Sequence, residues 1–377
     1  MRYLTPFIAR DLTKKMVLVG GPRQVGKTTL AQSLLPSTRR KSYYYNWDDP
    51  DDRRAIRQRR WLADESLLIF DELHKMARWK TWLKGLYDKY RAAHQILVTG
   101  SARLDLYRRG GDSLLGRYHY WRLHPFSLHE LPPRMKPQDA FRRLMTVGGF
   151  PEPFLANDPI EAKRWRTERY ARILREDIRD LETIRDLSHL AILADALRTR
   201  VGTPVVYAHL AQDMEVAFKS IRHWVALLET MYLLFLVPPY THRLARAIKK
   251  PPKIYFFDNA DVLNDDGARF ENLVATHLLK RLHFLEDSRG DRWELRYLRD
   301  KEGREIDFVL TCDGRLEELI EVKWSEDRIT PSLRYYAERL QPKRAVQIVG
   351  QLKRSYSHGR CHVLSPFEYF AQLAPLG

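Results

Sequence analysis

Cysteine is nearly absent: the 377 residues include two, Cys312 and Cys361. Their separation matches no metal-ligand spacing, which argues against a disulfide scaffold or a zinc finger. Long apolar runs are also lacking. The most apolar stretch, residues 231–237, falls far short of the roughly 20 residues needed to span a bilayer. The opening MRYLTPFIARDLTKK has neither a continuous apolar core nor a small-residue cleavage site, so the chain reads as cytoplasmic with no membrane partner. No repeat period or low-complexity tract stands out. Acidic residues are in deficit, 48 against 65 basic ones for a net charge of +17. Such an excess favours a polyanionic partner such as nucleic acid, although it also fits an ordinary basic soluble protein.

What is present is globular: 44% apolar and 30% charged residues, in a chain long enough for two or three folding units at about 150 residues each. From Met16 onward, short apolar runs alternate with amphipathic stretches, the rhythm of an α/β domain with a mainly parallel sheet. Strands are predicted at 16–19, 42–45, 67–70, 96–99 and 118–122. A helix is predicted over 79–93, where Trp82, Leu83, Leu86 and Tyr90 recur at helical spacing. Residues 139–197 are helical in pattern, broken by GGFPEP at 148–153, and read as a lid or connector. Residues 202–240 combine an extended TPVV, helices at 209–214 and 217–229, and the apolar run YLLFLVPPY, the layout of a winged helix-turn-helix. Beyond Lys249, Lys250, Pro251 and Pro252, a helix at 268–282 leads to strands at 293–298, 305–310, 316–323 and 344–348. A helix at 331–340 separates the last two.

The strongest motif is GPRQVGKTT, in which Gly21, Pro22, Arg23, Gln24, Val25, Gly26, Lys27, Thr28 and Thr29 fit the phosphate loop G-x-x-x-x-G-K-[ST]. It follows the apolar strand MVLV and opens the helix TLAQSLL, which is the context the motif requires. The two glycines let backbone approach phosphates, backbone N–H groups face the anion, and Lys27 bridges the outer phosphates. Thr28 offers a hydroxyl to magnesium, so ATP and Mg2+ are the expected cofactors. The strand SLLIFDE ends in Asp71, placed for the metal, and Glu72, placed to polarise an attacking water, a pairing that favours hydrolysis. The strand ILVTGSAR ends with Thr99, Ser101 and Arg103, where a polar side chain could sense the γ-phosphate. Simple strand-end capping is the alternative for Thr99 and Ser101.

GPRQVGKTT, IFDELHK followed by WKTWLKGLYD, VTGSARL, GDSLLGRY, HPFSLHEL and GGFPEPF occur in that order. In this the chain resembles the AAA-like P-loop ATPases (AAA_14) that carry a C-terminal DUF4143 domain, and the resemblance extends over nearly its whole length. It implies an AAA+-type core working as a ring homo-oligomer, in which one subunit completes its neighbour's site. By motif position, Arg117 is then the arginine that reaches across the interface, with Arg103, Arg108 and Arg109 as competitors. Any of them could instead be solvated or paired with a nearby carboxylate.

Two later segments bear on nucleic acid. In AFKSIRHWVALLETM, Ile221, Trp224, Val225 and Leu228 share one face and leave Lys219, Arg222 and His223 exposed, as in a recognition helix, although such a module can equally dock protein. Farther on, Asp307 in EIDFVL and Glu321 and Lys323 in LIEVKW form D-x13-E-x-K across a tight CDGR turn. Carboxylates on adjacent strands can converge on a divalent metal, with the lysine on the same side of the sheet, and Glu271 on the preceding helix could add a further ligand. The pattern resembles the PD-(D/E)xK nuclease fold. Surface charges on a hairpin, a decayed nuclease retained for binding, and a metal site with another role remain open.

The expected fold class is therefore α/β: an AAA+-type core over 1–133, a helical lid or connector over 134–200, a winged helix over 201–250 and a nuclease-like α/β domain over 251–377. Two function classes fit. One is an ATP-driven enzyme that remodels or translocates duplex or branched DNA, its C-terminal domain binding or cutting it. The other is an ATP-controlled switch whose later domains dock a protein partner. A small-molecule kinase fits less well, because Asp71 and Glu72 suit water activation and no acceptor pocket is visible.

Overall fold

The computed structural model describes residues 2–35, 41–61, 65–100, 114–130, 132, 134–174, 187–241, 250–263 and 265–373. The chain forms two compact units, Met1–Pro125 and Phe126–Gly377.

The first unit begins with α1 (Thr5–Leu12), β1 (Met16–Gly20) and α2 (Lys27–Ser33), and continues with β2 (Lys41–Asn46), α3 (Pro50–Gln58) and β3 (Glu65–Asp71). It ends with α4 (Trp79–Tyr90), β4 (Gln95–Thr99) and β5 (Tyr118–Arg122). The sheet order is β2-β3-β4-β1-β5, and every pair is parallel. Parallel neighbours need crossovers that cover both faces, which is why MVLVG is apolar and buried along its whole length. The Asp49 side chain caps α3 by accepting the N–H groups of Asp51 and Asp52. In α4, Trp79, Leu83, Leu86 and Tyr87 bury one stripe in a core with Ile56, Leu68 and Phe70. Register pairs Thr99 with Val19 on one side and Asp71 on the other. The C-terminal ends of β1, β3 and β4 therefore meet along one edge.

The second unit opens with α5 (Pro137–Thr146), α6 (Pro151–Ala156), α7 (Pro159–Arg172) and α8 (Leu187–Arg198). The helix pair α9 (Tyr207–Asp213) and α10 (Phe218–Thr230) is followed by β6 (Leu234–Val237), which pairs antiparallel with β7 (Lys253–Phe256). This β7 strand was not expected from the sequence. Its KIYF is buried at every position and follows two prolines, which read as loop.

Then come α11 (Asp266–Arg289), β8 (Trp293–Arg299), β9 (Glu305–Cys312), β10 (Arg315–Lys323), α12 (Pro331–Leu340) and β11 (Arg344–Val349). The unit closes with β12 (Tyr356–His358), β13 (Cys361–Leu364) and α13 (Pro366–Ala371). The six-stranded sheet runs β12-β13-β11-β10-β9-β8, with β8, β9 and β10 antiparallel and α12 crossing over between the parallel β10 and β11. Helix α11 is longer than the periodicity of 268–282 suggests, because the Asp265 side chain caps its start and Gly290, at φ 81°, ends it. Strand β12 is exposed at all three positions and carries no apolar alternation, so the sequence gives no sign of it.

One polar cluster in the interior of this unit is built around Arg169. Arg169 on α7 is 1% exposed, stacked 4.0 Å over the Phe150 ring and 3.9 Å from Asp261, itself fully buried with Asp258 beside it. Burial, and next the charge of Asp258, push Asp261 up to about 7. Among the described residues no helix is long and apolar enough to cross a membrane.

Candidate functional site

The loop after β1 has a backbone that side chains would obstruct. At Gly21, φ is +138° and a Cβ would lie 2.3 Å from the Leu123 carbonyl oxygen; Gly26 sits at φ +92°. Lys27 is buried, and its ammonium donates to the carbonyl oxygens of Gly21 (3.1 Å) and Pro22 (2.7 Å), inside the loop it closes. Val25 is fully buried, and its carbonyl accepts from Arg2 at 2.9 Å. Thr28 and Thr29 are exposed, while Arg23 and Gln24 are half-buried.

Asp71 gathers donors from β2, β4, the first turn of α2 and the residue that follows its own strand. Its Oδ2 accepts the hydroxyls of Thr28 and Tyr44, both at 2.6 Å. Its Oδ1 accepts the Thr99 hydroxyl and the Glu72 N–H, the latter at 3.1 Å. Thr99 thus supports the acidic residue directly. Tyr44 is a further member of the site, and burial followed by its bond to Asp71 pushes its phenol well up. Glu72 adopts the left-handed conformation at φ 53° and donates its N–H also to the Thr99 carbonyl at 3.0 Å, which turns its side chain away from the strand. Its Oε2 lies 3.5 Å from His74 Nε2. Burial raises the Glu72 pKa; the positive charge of Lys27 is the largest effect opposing this, and Asp71 adds to the rise. A carboxylate biased towards accepting a proton, beside a phosphate loop, suits water activation.

Arg117 forks onto Asp88, Nε to Oδ1 at 2.8 Å and Nη2 to Oδ2 at 3.1 Å. The Ser101, Arg103, Arg108 and Arg109 positions lie outside the described residues.

A second ionic centre lies in the other unit. Glu305 and Asp307 are two apart on β9, and Glu321 and Lys323 two apart on β10, so each pair shares a face. The Val322 N–H donates to Asp307 Oδ2 at 2.9 Å, and Lys323 Nζ lies 2.8 Å from Glu321 Oε1. From β7, the Lys253 ammonium reaches Glu305 (2.6 Å), Asp307 (3.2 Å) and Glu271 (3.3 Å). Tyr255 donates its hydroxyl to Glu271 at 2.6 Å. Of the carboxylates expected to hold a divalent ion, Asp307 and the possible further ligand Glu271 are thus bridged by a lysine, while Glu321 pairs with Lys323. Among the described residues no group of three or more His, Cys, Asp or Glu side chains is arranged to hold a metal.

Burial, and next the charge of Asp307, push Glu321 from 4.5 up to about 8. The folded chain then binds a proton that the unfolded chain releases, so this group's contribution to stability falls as pH rises from about 5 to 8. Urea midpoints across that range should decline, and Glu321→Gln should flatten the decline in part, since Asp261 and Glu271 are shifted the same way. An unchanged slope in the variant would refute the assignment.

The first unit's parallel sheet, its glycine loop with Lys27 after β1, and Asp71 at the end of β3, separated from β1 by β4, give it the architecture of a P-loop core. Residues 13–132 match the family described as AAA domain, and residues 266–370 match a domain of unknown function, DUF4143. Residues 138–262, between them, match a second domain of unknown function, DUF8612. The chain therefore carries an AAA domain followed by a DUF4143 domain. It is 23% identical over 334 residues to an uncharacterized protein of Mycobacterium tuberculosis, covering 80% of this chain and 68% of that one. An uncharacterized protein of Methanocaldococcus jannaschii is 24% identical over 407 residues, covering 90% and 82%. Among solved structures, the RuvB Holliday junction branch migration motor of Thermotoga maritima aligns at 17% identity and a TM-score of 0.30, covering 66% of this chain and 91% of that one. That likeness is too distant to carry an argument.

Proposed function

We propose that the chain is a Mg2+-dependent ATPase that acts on DNA. The observation that carries the ATPase reading is the joining of Lys27, Thr28, Asp71 and Glu72 at one sheet edge, with Asp71 held by Thr28 and Thr99. Thr28 and Asp71 would hold the magnesium, which neutralises charge on the transferred phosphoryl group, and Glu72 would take the proton from the attacking water. The DNA reading rests on the net charge of +17 and on α10, whose Lys219, Arg222 and His223 are exposed while Ile221, Trp224, Val225 and Leu228 are buried. In this reading the chain divides into a core (1–133), a connector (134–200), a winged helix (201–250) and a nuclease-like unit (251–377), and it self-associates as a ring. Release of Arg117 from Asp88 would let it serve a neighbouring subunit.

The test is ATP turnover with magnesium, measured without DNA and with single-stranded, duplex and four-way-junction DNA, with Lys27→Ala as the blank. Marked stimulation by one form supports action on DNA and names its class. Equal turnover in all four conditions, with the blank inactive, keeps the ATPase and replaces the DNA reading with a nucleotide-controlled protein-docking switch.

A further inference from the structure

The D-x13-E-x-K pattern raises the expectation of a divalent ion, and the structure places a different cation there. Lys253 is 1% exposed, and its ammonium contacts one carboxylate oxygen each of Glu305 (2.6 Å), Asp307 (3.2 Å) and Glu271 (3.3 Å). These carboxylates come from two elements, α11 and β9, and Lys253 comes from a third, β7, so the contact is tertiary and not a local salt bridge along one helix. The other charges at the centre are Arg299, whose Nη1 lies 3.4 Å from Glu305 Oε2, and Glu321 with its partner Lys323.

Lys253 is also held from behind. Its backbone pairs with Val237 on β6 and bridges to Pro204, and the neighbouring Pro252 carbonyl accepts the Val205 N–H at 2.9 Å. Gly202, at φ +75°, completes the enclosure: a Cβ there would stand 2.9 Å from both oxygens of the Glu271 carboxylate. A magnesium or calcium ion needs oxygen ligands at about 2.0–2.6 Å, and it would have to share these oxygens with a fixed positive charge about 3 Å from them. Sharing an oxygen would hold the two cations within about 6 Å of each other in a buried site, where they repel strongly.

We propose that Lys253 is the resident cation of this acidic centre, so that the C-terminal unit is held together and works without a divalent metal. The lysine balances the charge of Glu271, Glu305 and Asp307 as a metal would, but supplies neither a bound water nor an open coordination position. Metal-assisted phosphodiester cleavage is therefore not an activity of this unit. This inference does not rest on the ATPase reading, because its test uses no nucleotide.

The test titrates Mn2+ into the full-length protein without nucleotide and reads free Mn2+ by electron paramagnetic resonance. Four proteins are compared: wild type, Asp307→Asn, Lys253→Met and the Lys253→Met/Asp307→Asn double variant. Wild type and Asp307→Asn should give the same curve, any ion at the phosphate loop contributing equally to both. Lys253→Met should gain one site that the double variant lacks, with a melting temperature that rises on adding Mn2+. Two results would overturn the proposal: a wild-type site of on the order of 1 mM affinity or tighter that Asp307→Asn removes, or a folded Lys253→Met that gains none. Should Lys253→Met fail to fold, the wild-type and Asp307→Asn pair still decides.

Discussion

Replacing Glu72 by Gln is expected to lower ATP turnover by about 100- to 10,000-fold, the usual contribution of a positioned general base, while ATP binding is retained. Gln keeps the size of the side chain and its place after Asp71, so the left-handed turn at φ 53° and the N–H bonds to Asp71 and Thr99 should survive. What is removed is the ability to take a proton. Lys27→Ala should instead lose both binding and turnover, because the ammonium enclosed by the Gly21 and Pro22 carbonyls is the only lysine of the loop. Phosphate release measured beside equilibrium nucleotide binding separates the two. Turnover of Glu72→Gln within a few-fold of wild type would remove Glu72 from the chemistry and leave Asp71 to be reconsidered.

Arg169→Met is expected to cost about 3–5 kcal/mol of folding stability, as breaking a buried ion pair from one side usually does. Arg169 is enclosed by the rings of Phe150 and Trp165, donates to the Tyr232 carbonyl at 3.4 Å, and faces the fully buried Asp261. Methionine fills most of the volume but leaves the Asp258 and Asp261 pair with less positive charge nearby. Gly148 shows how closely the group is built, since a Cβ there would fall 1.9 Å from Asp258 Oδ1. Urea unfolding measures the loss, and adding Asp261→Asn to Arg169→Met should recover part of it by removing the uncompensated charge. A loss below about 1 kcal/mol would place Arg169 among ordinary surface ion pairs.

Much of the first unit was legible in the sequence because its signals are local. The phosphate loop is contiguous, and the strands ending in Asp71 and Thr99 are apolar runs followed at once by polar residues. Tyr44 was not legible: Tyr43, Tyr44 and Tyr45 are adjacent and chemically alike, and the fold turns the Tyr44 hydroxyl to Asp71 while burying Tyr45 in the core. The partner of Arg117 was hidden for a different reason, since Asp88 lies 29 residues earlier on a helix whose polar face carries several charges. Lys253 was the least visible of all. A lysine after two prolines reads as exposed loop, and lysine is almost never fully buried unless paired. The pairing that buries it comes from Glu271, Glu305 and Asp307, contributed by elements that follow it in the chain.

The Asp71 carboxylate is already occupied in the folded chain. Four donors, the hydroxyls of Thr28, Tyr44 and Thr99 and the Glu72 N–H, share its two oxygens. A metal arriving at this carboxylate makes an exchange and not an addition, because each new metal–oxygen contact displaces or weakens a hydrogen bond in place. The loop by itself is thus a poor trap for the free ion. In the proposed ATPase a triphosphate would bring its own oxygens to offset what Asp71 gives up, so that ion and nucleotide would bind as a single cargo.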